Sequence, residues 1–305
     1  MKTSRRDFLK TGLALAAGVT GGLDRLLAAD PVPAARRPVL IAVRDGTRTA
    51  MLDRALAELG GIGAFVRPGQ TVVIKPNIGW DVPPERGANT HPELVARLAT
   101  LCREAGAKSV SIFDHTCDQW QRCYATSGME QAAKDSGATL VTGDDESMYR
   151  EVAIPRGVKL RSAKVHRLVL DSDVYFNLPV LKHHSGSLMT GAMKNLMGVV
   201  WDRRFYHGND LHQCIADFAT ILPPTLNVVD AYHPMVRNGP RGRAEADLVE
   251  LRSLVASKDI VAVDAAAARM LGHDPTAIRH IPLAAGLGVG TMDLETVDIR
   301  RFKLT

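Results

Sequence analysis

Short apolar runs rich in β-branched residues alternate along the first half of the chain with segments that have helical periodicity. The strand-like runs are 38–43, 71–75, 109–113 and 138–141, and the helical segments between them are 47–59, 91–105 and 129–136. Such alternation is typical of βαβ units, in which helices connect parallel strands. We therefore predict an α/β fold with a mostly parallel or mixed sheet and helices on both faces.

The pattern changes in the middle of the chain, where three strand-like runs follow one another without a helical segment between them. These runs are 149–154, 164–170 and 173–178. Consecutive strands joined by short turns pair antiparallel, so we predict an antiparallel portion here. The predicted order is completed by helical segments at 190–200, 210–221, 259–271 and 276–285 and by strands at 226–230, 251–256 and 296–302.

The first residues have the layout of a twin-arginine export signal. Arg5 and Arg6 stand in the setting Ser-Arg-Arg-Asp-Phe-Leu-Lys, and an uncharged run rich in glycine and alanine follows at 11–22. This combination predicts recognition by the twin-arginine export machinery. The run is shorter than the roughly 20 apolar residues that hold a helix in a bilayer. We expect cleavage near Ala29, no stable membrane anchor, and a periplasmic or otherwise extracytoplasmic location.

These boundaries divide the chain into a signal peptide (1–29), a linker (30–37) and a single α/β domain (38–305). The signal carries five basic and two acidic side chains, so its removal lowers the formal net charge from +5 to +2. The rest of the chain has no basic run interleaved with aromatic residues, so we do not expect nucleic acid as a partner.

The cysteines and glycines bear on the choice of cofactor. The four cysteines contain no Cys-x-x-Cys pair, so we do not expect an intrinsic iron–sulfur cluster. No strand is followed by Gly-x-Gly-x-x-Gly, so we do not expect a nicotinamide cofactor. Cys117 and Cys123 share a predicted loop. In an oxidising compartment a disulfide between them is an alternative to two free thiols, and the sequence does not decide between the two.

Polar residues that follow buried strands are the candidates for a functional site, because ligands bind beyond the carboxyl ends of strands in open α/β sheets. The candidate catalytic residues are Lys75, Lys182, His183, Lys194 and Asp264. The candidate substrate-binding residues are Asn77, His184, Thr190, Asn195 and Asp230. Lysines at such positions neutralise an anionic substrate or, when desolvated, transfer protons.

Local geometry limits which of these side chains can meet. In an extended segment Lys182 and His184 share a face while His183 points away. In the predicted helix 190–200, Thr190 lies one turn from Lys194. Asp264 stands among apolar residues, so we expect it to be buried and paired with one of the three lysines.

A metal site is an open alternative. Nitrogen and oxygen donors are supplied by His184, His207, His212, His233 and Asp230. His207 and His212 are five residues apart, and not the four that place two ligands on one helical face. The cofactor therefore stays unknown at this point.

Five parts of the chain resemble the bacterial and archaeal family known as domain of unknown function 362. The matching stretches are 74–77 with 90–92, 178–183, 190–198, 229–230 with 239–240, and 256–259 with 263–264. They cover nearly all of the chain after the signal, in the expected order. The resemblance implies no particular reaction, since the family has no general assigned activity. Some members look like carriers of ferredoxin-type cluster modules, whose cysteine runs this chain lacks.

Two functions from different classes fit these features. The leading interpretation is an exported enzyme that acts on a small anionic substrate, with or without the help of a metal. The alternative is a non-catalytic periplasmic protein that binds a ligand or assists a redox partner. The sequence names neither the substrate nor the oligomeric state.

Overall fold

The computed structural model describes residues 37–305, which are built around one ten-stranded sheet and a separate hairpin. The strands are β1 (Val39–Arg44), β2 (Thr71–Pro76), β3 (Ser109–Phe113), β4 (Thr139–Val141), β5 (Tyr149–Ala153), β6 (Ser162–His166), β7 (Val174–Leu178), β8 (Val180–His184), β9 (Leu188–Thr190), β10 (Leu226–Met235), β11 (Ser253–Ser257) and β12 (Asp298–Lys303). The signal peptide and all but the last residue of the linker lie outside the described residues.

The sheet is mixed. Its strand order is β12-β1-β11-β10-β7-β2-β3-β4, and β8 pairs with β10 and with β9. The run from β10 to β4 is parallel, whereas β11 pairs antiparallel with both of its neighbours. The predicted mixed sheet is confirmed.

Helices cover both faces of this sheet. They are α1 (Arg48–Glu58), α2 (Pro92–Glu104), α3 (Trp120–Thr126), α4 (Met129–Ser136), α5 (Arg167–Asp171), α6 (Ala192–Asn195), α7 (Arg204–Gly208), α8 (Leu211–Ala219), α9 (Ile260–Met270) and α10 (His280–Gly286). Among the described residues, no helix is long and apolar enough to cross a bilayer.

The two-sided arrangement follows from the alternation of side chains along buried strands. Val73 and Val229 belong to the apolar cluster that contains α6, α8, α9 and α10. Their neighbours Ile74 and Val228 belong to the other cluster, with α1, α2 and α4. Because successive side chains of a strand point to opposite faces, a strand buried on both sides is apolar throughout.

The middle of the chain departs in part from the prediction. The antiparallel portion is the hairpin of β5 and β6, which stands apart from the main sheet. The predicted strand 164–170 is wrong beyond His166, because the imidazole Nδ1 of that residue accepts from the amide of Leu168 and begins α5. The following strand, β7, joins the parallel part of the main sheet between β10 and β2.

The helix predicted at 190–200 begins later and is more irregular than expected. Thr190 is the last residue of β9, α6 begins at Ala192, and a 3₁₀ turn over Leu196–Val199 follows. The expected stacking of Thr190 one helical turn from Lys194 is therefore wrong. Both side chains nonetheless face the same cavity.

Candidate functional site

One cavity of about 1320 Å³ opens where the carboxyl ends of β2, β3 and β8 meet the C-terminal end of α6. Seven of the ten candidate residues line it: Lys75, Asn77, Lys182, His184, Thr190, Lys194 and Asn195. The other three, His183, Asp230 and Asp264, are not among its lining residues. Most of the residues that were chosen because ligands bind beyond strand ends therefore lie around one cavity.

Lys75 is fixed at the end of β2 by a buried ion pair. Its Nζ lies 2.8 Å from Oδ1 of Asp114, which directly follows β3, and donates to Asn195 Oδ1 at 3.0 Å. The other oxygen of Asp114 accepts from the amide of Ile78 at 2.7 Å. Burial lowers the pKa of Lys75, while the charge of Asp114 acts in the opposite direction.

Lys182 is buried without a carboxylate partner in the described part of the chain. Its Nζ donates to Asn77 Oδ1 at 2.9 Å and to the carbonyl of Ala88. Burial lowers the pKa of Lys182 to about 7, and the neighbouring charge of Lys194 contributes in the same direction. An amine with this pKa exists in both protonation states near neutral pH.

Lys194 is the least satisfied of the three lysines. The residue is 9% exposed, and its Nζ has one polar contact among the described residues, the thioether of Met197 at 3.4 Å. Burial lowers the pKa of Lys194 to about 8. Since a thioether is a weak acceptor, this ammonium group faces the cavity with most of its hydrogen-bonding capacity free.

A chain of asparagine amides ties the site to the sheet. Asn195 Oδ1 accepts from the amide of Asn77 at 3.0 Å, and its own amide donates to Asn177 Oδ1 at 2.8 Å. The amide of Asn177 in turn donates to Asn227 Oδ1 at 2.9 Å. Because each of these amides has a defined donor and acceptor, the network fixes the orientation of Asn77 and Asn195 toward the lysines.

The two imidazoles of β8 follow the predicted alternation. His184 lines the cavity, and its Nδ1 accepts from the amide of Gly186 at 3.0 Å. Burial, with the charges of Lys194 and Lys182, lowers the pKa of His184 to about 2, so the ring is neutral and carries its proton on Nε2. His183 turns away, and its Nδ1 accepts from the amide of Gly239 at 3.1 Å.

Asp264 supports the site indirectly, through hydrogen bonds to α6. Ala192 and Met193 are the first two residues of α6, and their backbone amides donate to the two carboxylate oxygens of Asp264 at 2.5 and 2.9 Å. The expected pairing with a lysine is therefore wrong. Burial raises the pKa of Asp264 to about 7, although both amide bonds oppose this shift. The carboxylate holds the helix that carries Lys194 and Asn195.

Asp230 has a comparable supporting position elsewhere in the sheet. It lies 3.3 Å from the guanidinium Nε of Arg48 and accepts from the amides of Tyr232 and His91 at 3.1 and 3.4 Å. Asp230 thereby ties β10 to the start of α1 and α2. Its carboxylate is paired within the fold.

Sequence reasoning missed several residues of the site. Asp114 follows β3 directly, and the rule that found Lys75 and Asp230 applies to it equally. Gly198 lies against the ion pair, where an added Cβ would come within 2.0 Å of Asp114 Oδ1 and 2.5 Å of Lys75 Nζ. Only tertiary packing reveals this need for glycine, because Gly198 lies in an ordinary 3₁₀ turn.

The cysteines and the metal donors do not form the clusters that the sequence left open. Cys117 and Cys123 are both free thiols, the first exposed and the second buried. His212 pairs with His280 through Nδ1 atoms 3.1 Å apart, and His233 lies 3.7 Å from Glu250. Within residues 37–305, no group of three or more His, Cys, Asp or Glu side chains is arranged to hold a metal ion.

The chain is similar to a curated relative and to a solved structure. The thylakoid-associated protein sll1697 of Synechocystis sp. is 28% identical in an alignment 263 residues long, which covers 80% of this chain and 76% of the relative. The lactate racemase apoprotein of Thermoanaerobacterium thermosaccharolyticum superposes with a TM-score of 0.49 at 11% identity. The match covers 77% of this chain, which spans only 57% of the length of that racemase.

Two family models match the chain. Residues 2–22 match the signal sequence of the twin-arginine translocation pathway, so the chain is exported by that pathway. Residues 72–269 match the domain of unknown function DUF362, and this range contains all ten candidate site residues. The chain therefore belongs to the DUF362 family.

Proposed function

We propose that this protein is an exported enzyme that binds a small anionic substrate in the lysine-lined cavity and transfers a proton to or from it. One observation carries the proposal: the buried ammonium group of Lys194 has no carboxylate partner in the described residues and faces the cavity beside Lys182. Burying an unpaired charge is costly. A bound anion would supply the missing partner.

The three lysines have different surroundings, and we assign them different roles. Lys75 is held by Asp114 and contributes a fixed positive charge. Lys194 binds the anionic group of the substrate. Lys182, with a pKa of about 7, is the acid or base, since general acids and bases work best when their pKa lies near the working pH.

The neutral residues of the cavity orient the substrate. Asn77 and Asn195 have their amides fixed by the asparagine chain, and His184 offers an N–H donor from Nε2. Thr190 stands opposite Lys182 in the pairing of β8 with β9 and adds a hydroxyl group to the lining. Hydrogen bonds of this kind select one binding pose without adding charge.

Binding is tested with inorganic phosphate and acetate as probes, by calorimetry on the exported protein. We expect both anions to bind, and we expect Lys194→Met to weaken binding at least about tenfold, because the substitution removes the unpaired ammonium group. Lys134→Met on α4 is the matched control, since Lys134 is exposed and lies outside the cavity lining. Equal affinities in the wild type and Lys194→Met would remove the proposed anion site.

Turnover is tested by incubating a panel of small carboxylates and phosphates with the protein in deuterated water and following each by proton NMR. If the protein transfers protons at carbon, a substrate in the panel exchanges hydrogen for deuterium or is converted to a product. We expect Lys182→Met to abolish this exchange or conversion. A compound that binds tightly and stays unchanged in every case would show a ligand-binding protein instead. Metal analysis of the same preparation tests whether a metal assists.

A further inference from the structure

The cavity is larger than a small anion requires. Pockets of about 300–1,000 Å³ bury most of a drug-sized ligand. The volume here is about 1320 Å³. The lysines, the asparagines and His184 account for one part of its wall. The remaining part is open to a portion of the ligand with different chemistry.

The other part of the wall presents aromatic rings. Trp80, His115, Trp201 and Phe205 all line the cavity. Phe205, at the start of α7, is 38% exposed, which is unusual for a large apolar side chain in this protein. Exposed aromatic surface inside a concave site favours a ligand that covers it.

Trp201 is held in a defined position. Its ring stacks on His115 with centroids 5.2 Å apart and planes 9° apart, and Tyr149 packs beside it at 5.3 Å. The backbone amide of Trp201 donates to the carbonyl of Lys164, so the hairpin fixes this segment. A ring that is already ordered loses little entropy when a ligand stacks on it.

A guanidinium group lies beside these rings. Arg203 donates to the carbonyls of His115 and Thr116 at 2.8 and 2.7 Å, and its Nη1 lies 3.5 Å from Cys117 Sγ. The two backbone bonds hold the group in place at the cavity wall. Aromatic rings flanked by a fixed cation suit a planar, electron-rich ligand group.

We infer that the natural ligand is an anion that carries a planar aromatic or conjugated ring. Its anionic group binds at Lys194, and its ring lies against Trp201 and Phe205. This inference rests on the proposed function, since it assigns the anionic end to the same lysine, and it goes further by naming the rest of the molecule.

Matched probes separate the two ends of the ligand. Acetate tests the anionic end alone, benzoate adds a planar ring, and cyclohexanecarboxylate adds a ring of similar size that is not planar. We expect benzoate to bind at least about tenfold more tightly than acetate and more tightly than cyclohexanecarboxylate, because stacking on an aromatic side chain contributes a factor of this order. Affinities are measured by calorimetry.

Variants of the aromatic residues test where the ring of the ligand binds. Trp201→Leu and Phe205→Ala should each reduce the advantage of benzoate over acetate and leave the affinity for acetate unchanged. Trp120→Leu is the matched control, because Trp120 packs on Tyr124 in α3 and lies outside the cavity lining. Phe205→Ala, at an exposed position, keeps the test available if Trp201→Leu does not fold.

The outcomes for the two proposals differ. If acetate binds through Lys194 but benzoate has no advantage, or if both ring variants keep the advantage, the aromatic inference is overturned while the anion site stands. If neither acetate nor phosphate responds to Lys194→Met, the anion site itself fails. Tighter binding of cyclohexanecarboxylate than of benzoate would overturn the planar ring in favour of a merely apolar group.

Discussion

Asp264 and Lys194 are both buried ionisable groups, the first hydrogen-bonded to the short helix α6 and the second part of it, yet their surroundings are opposite. Asp264 accepts two hydrogen bonds from the first amides of α6, so both of its oxygens are used within the fold. Lys194 donates to a thioether and otherwise faces the cavity. Burial alone therefore does not mark a functional group. A buried polar group whose partners are missing is the better indicator.

Replacing the satisfied group should have the largest effect on stability. Asp264→Ala leaves the amides of Ala192 and Met193 without acceptors in the core. We expect the free energy of unfolding to fall by about 3 kcal/mol or more. Asp264→Asn, which keeps one acceptor oxygen, should lose less. Urea unfolding measures both, and an unchanged midpoint for Asp264→Ala would contradict the supporting role.

Gly198→Ala should disturb Lys75, which alone among the three candidate site lysines has a carboxylate partner in the described residues. The new methyl group would overlap Asp114 and Lys75, so one of them must move. We expect a loss of about 1–3 kcal/mol in the free energy of unfolding, together with weaker anion binding. Gly63→Ala is the matched control, because nothing lies within 4 Å of the corresponding Cβ position. Equal losses in both variants would contradict the packing argument.

The pH dependence of the free energy of unfolding should reflect the titration of the buried Lys182. Its pKa is about 7 in the folded protein and 10.5 in the unfolded chain, so between these values the unfolded state binds more protons. Stability therefore rises with pH from about 7 to about 10, by up to about 1.4 kcal/mol per pH unit for this group. Below pH 7 both states are protonated, and this contribution is flat.

The test compares the wild type with Lys182→Met in urea unfolding at several pH values from 7 to 10. The slope of stability against pH should be smaller in the variant, because the titrating group is gone. Identical slopes would show that Lys182 is not the buried amine that titrates. Lys134→Met, at an exposed position, should leave the slope unchanged.

The smallest stability change is expected at the unsatisfied lysine. Lys194→Met replaces a buried ammonium that has no carboxylate partner among the described residues with an apolar side chain of similar length. The free energy of unfolding should stay within about 1 kcal/mol of the wild type or increase. A loss as large as that of Asp264→Ala would mean that Lys194 stabilises the fold and would remove the contrast between the two groups.

Much of the candidate site could be predicted because strand ends of a parallel sheet converge. Lys75 lies near the end of β2 and Lys182 lies within the short strand β8, and alternation along β8 correctly placed His184 inside and His183 outside. Asp264 and Asp230 were also candidates because of their polar side chains in apolar surroundings. In the structure each is paired with other groups of the fold and does not line the cavity. A sequence shows that a carboxylate is buried, but it does not show which donors surround it.

The sequence by itself determined the export signal, the alternation of strands and helices, the two apolar faces of the sheet and the family. These properties follow from local order: residue spacing, periodicity and short motifs. Tertiary structure alone decided the pairing of Lys75 with Asp114, the asparagine chain, the clash that requires Gly198 and the unsatisfied state of Lys194. Each of these depends on groups far apart in the chain, and their distances are fixed only when the sheet assembles.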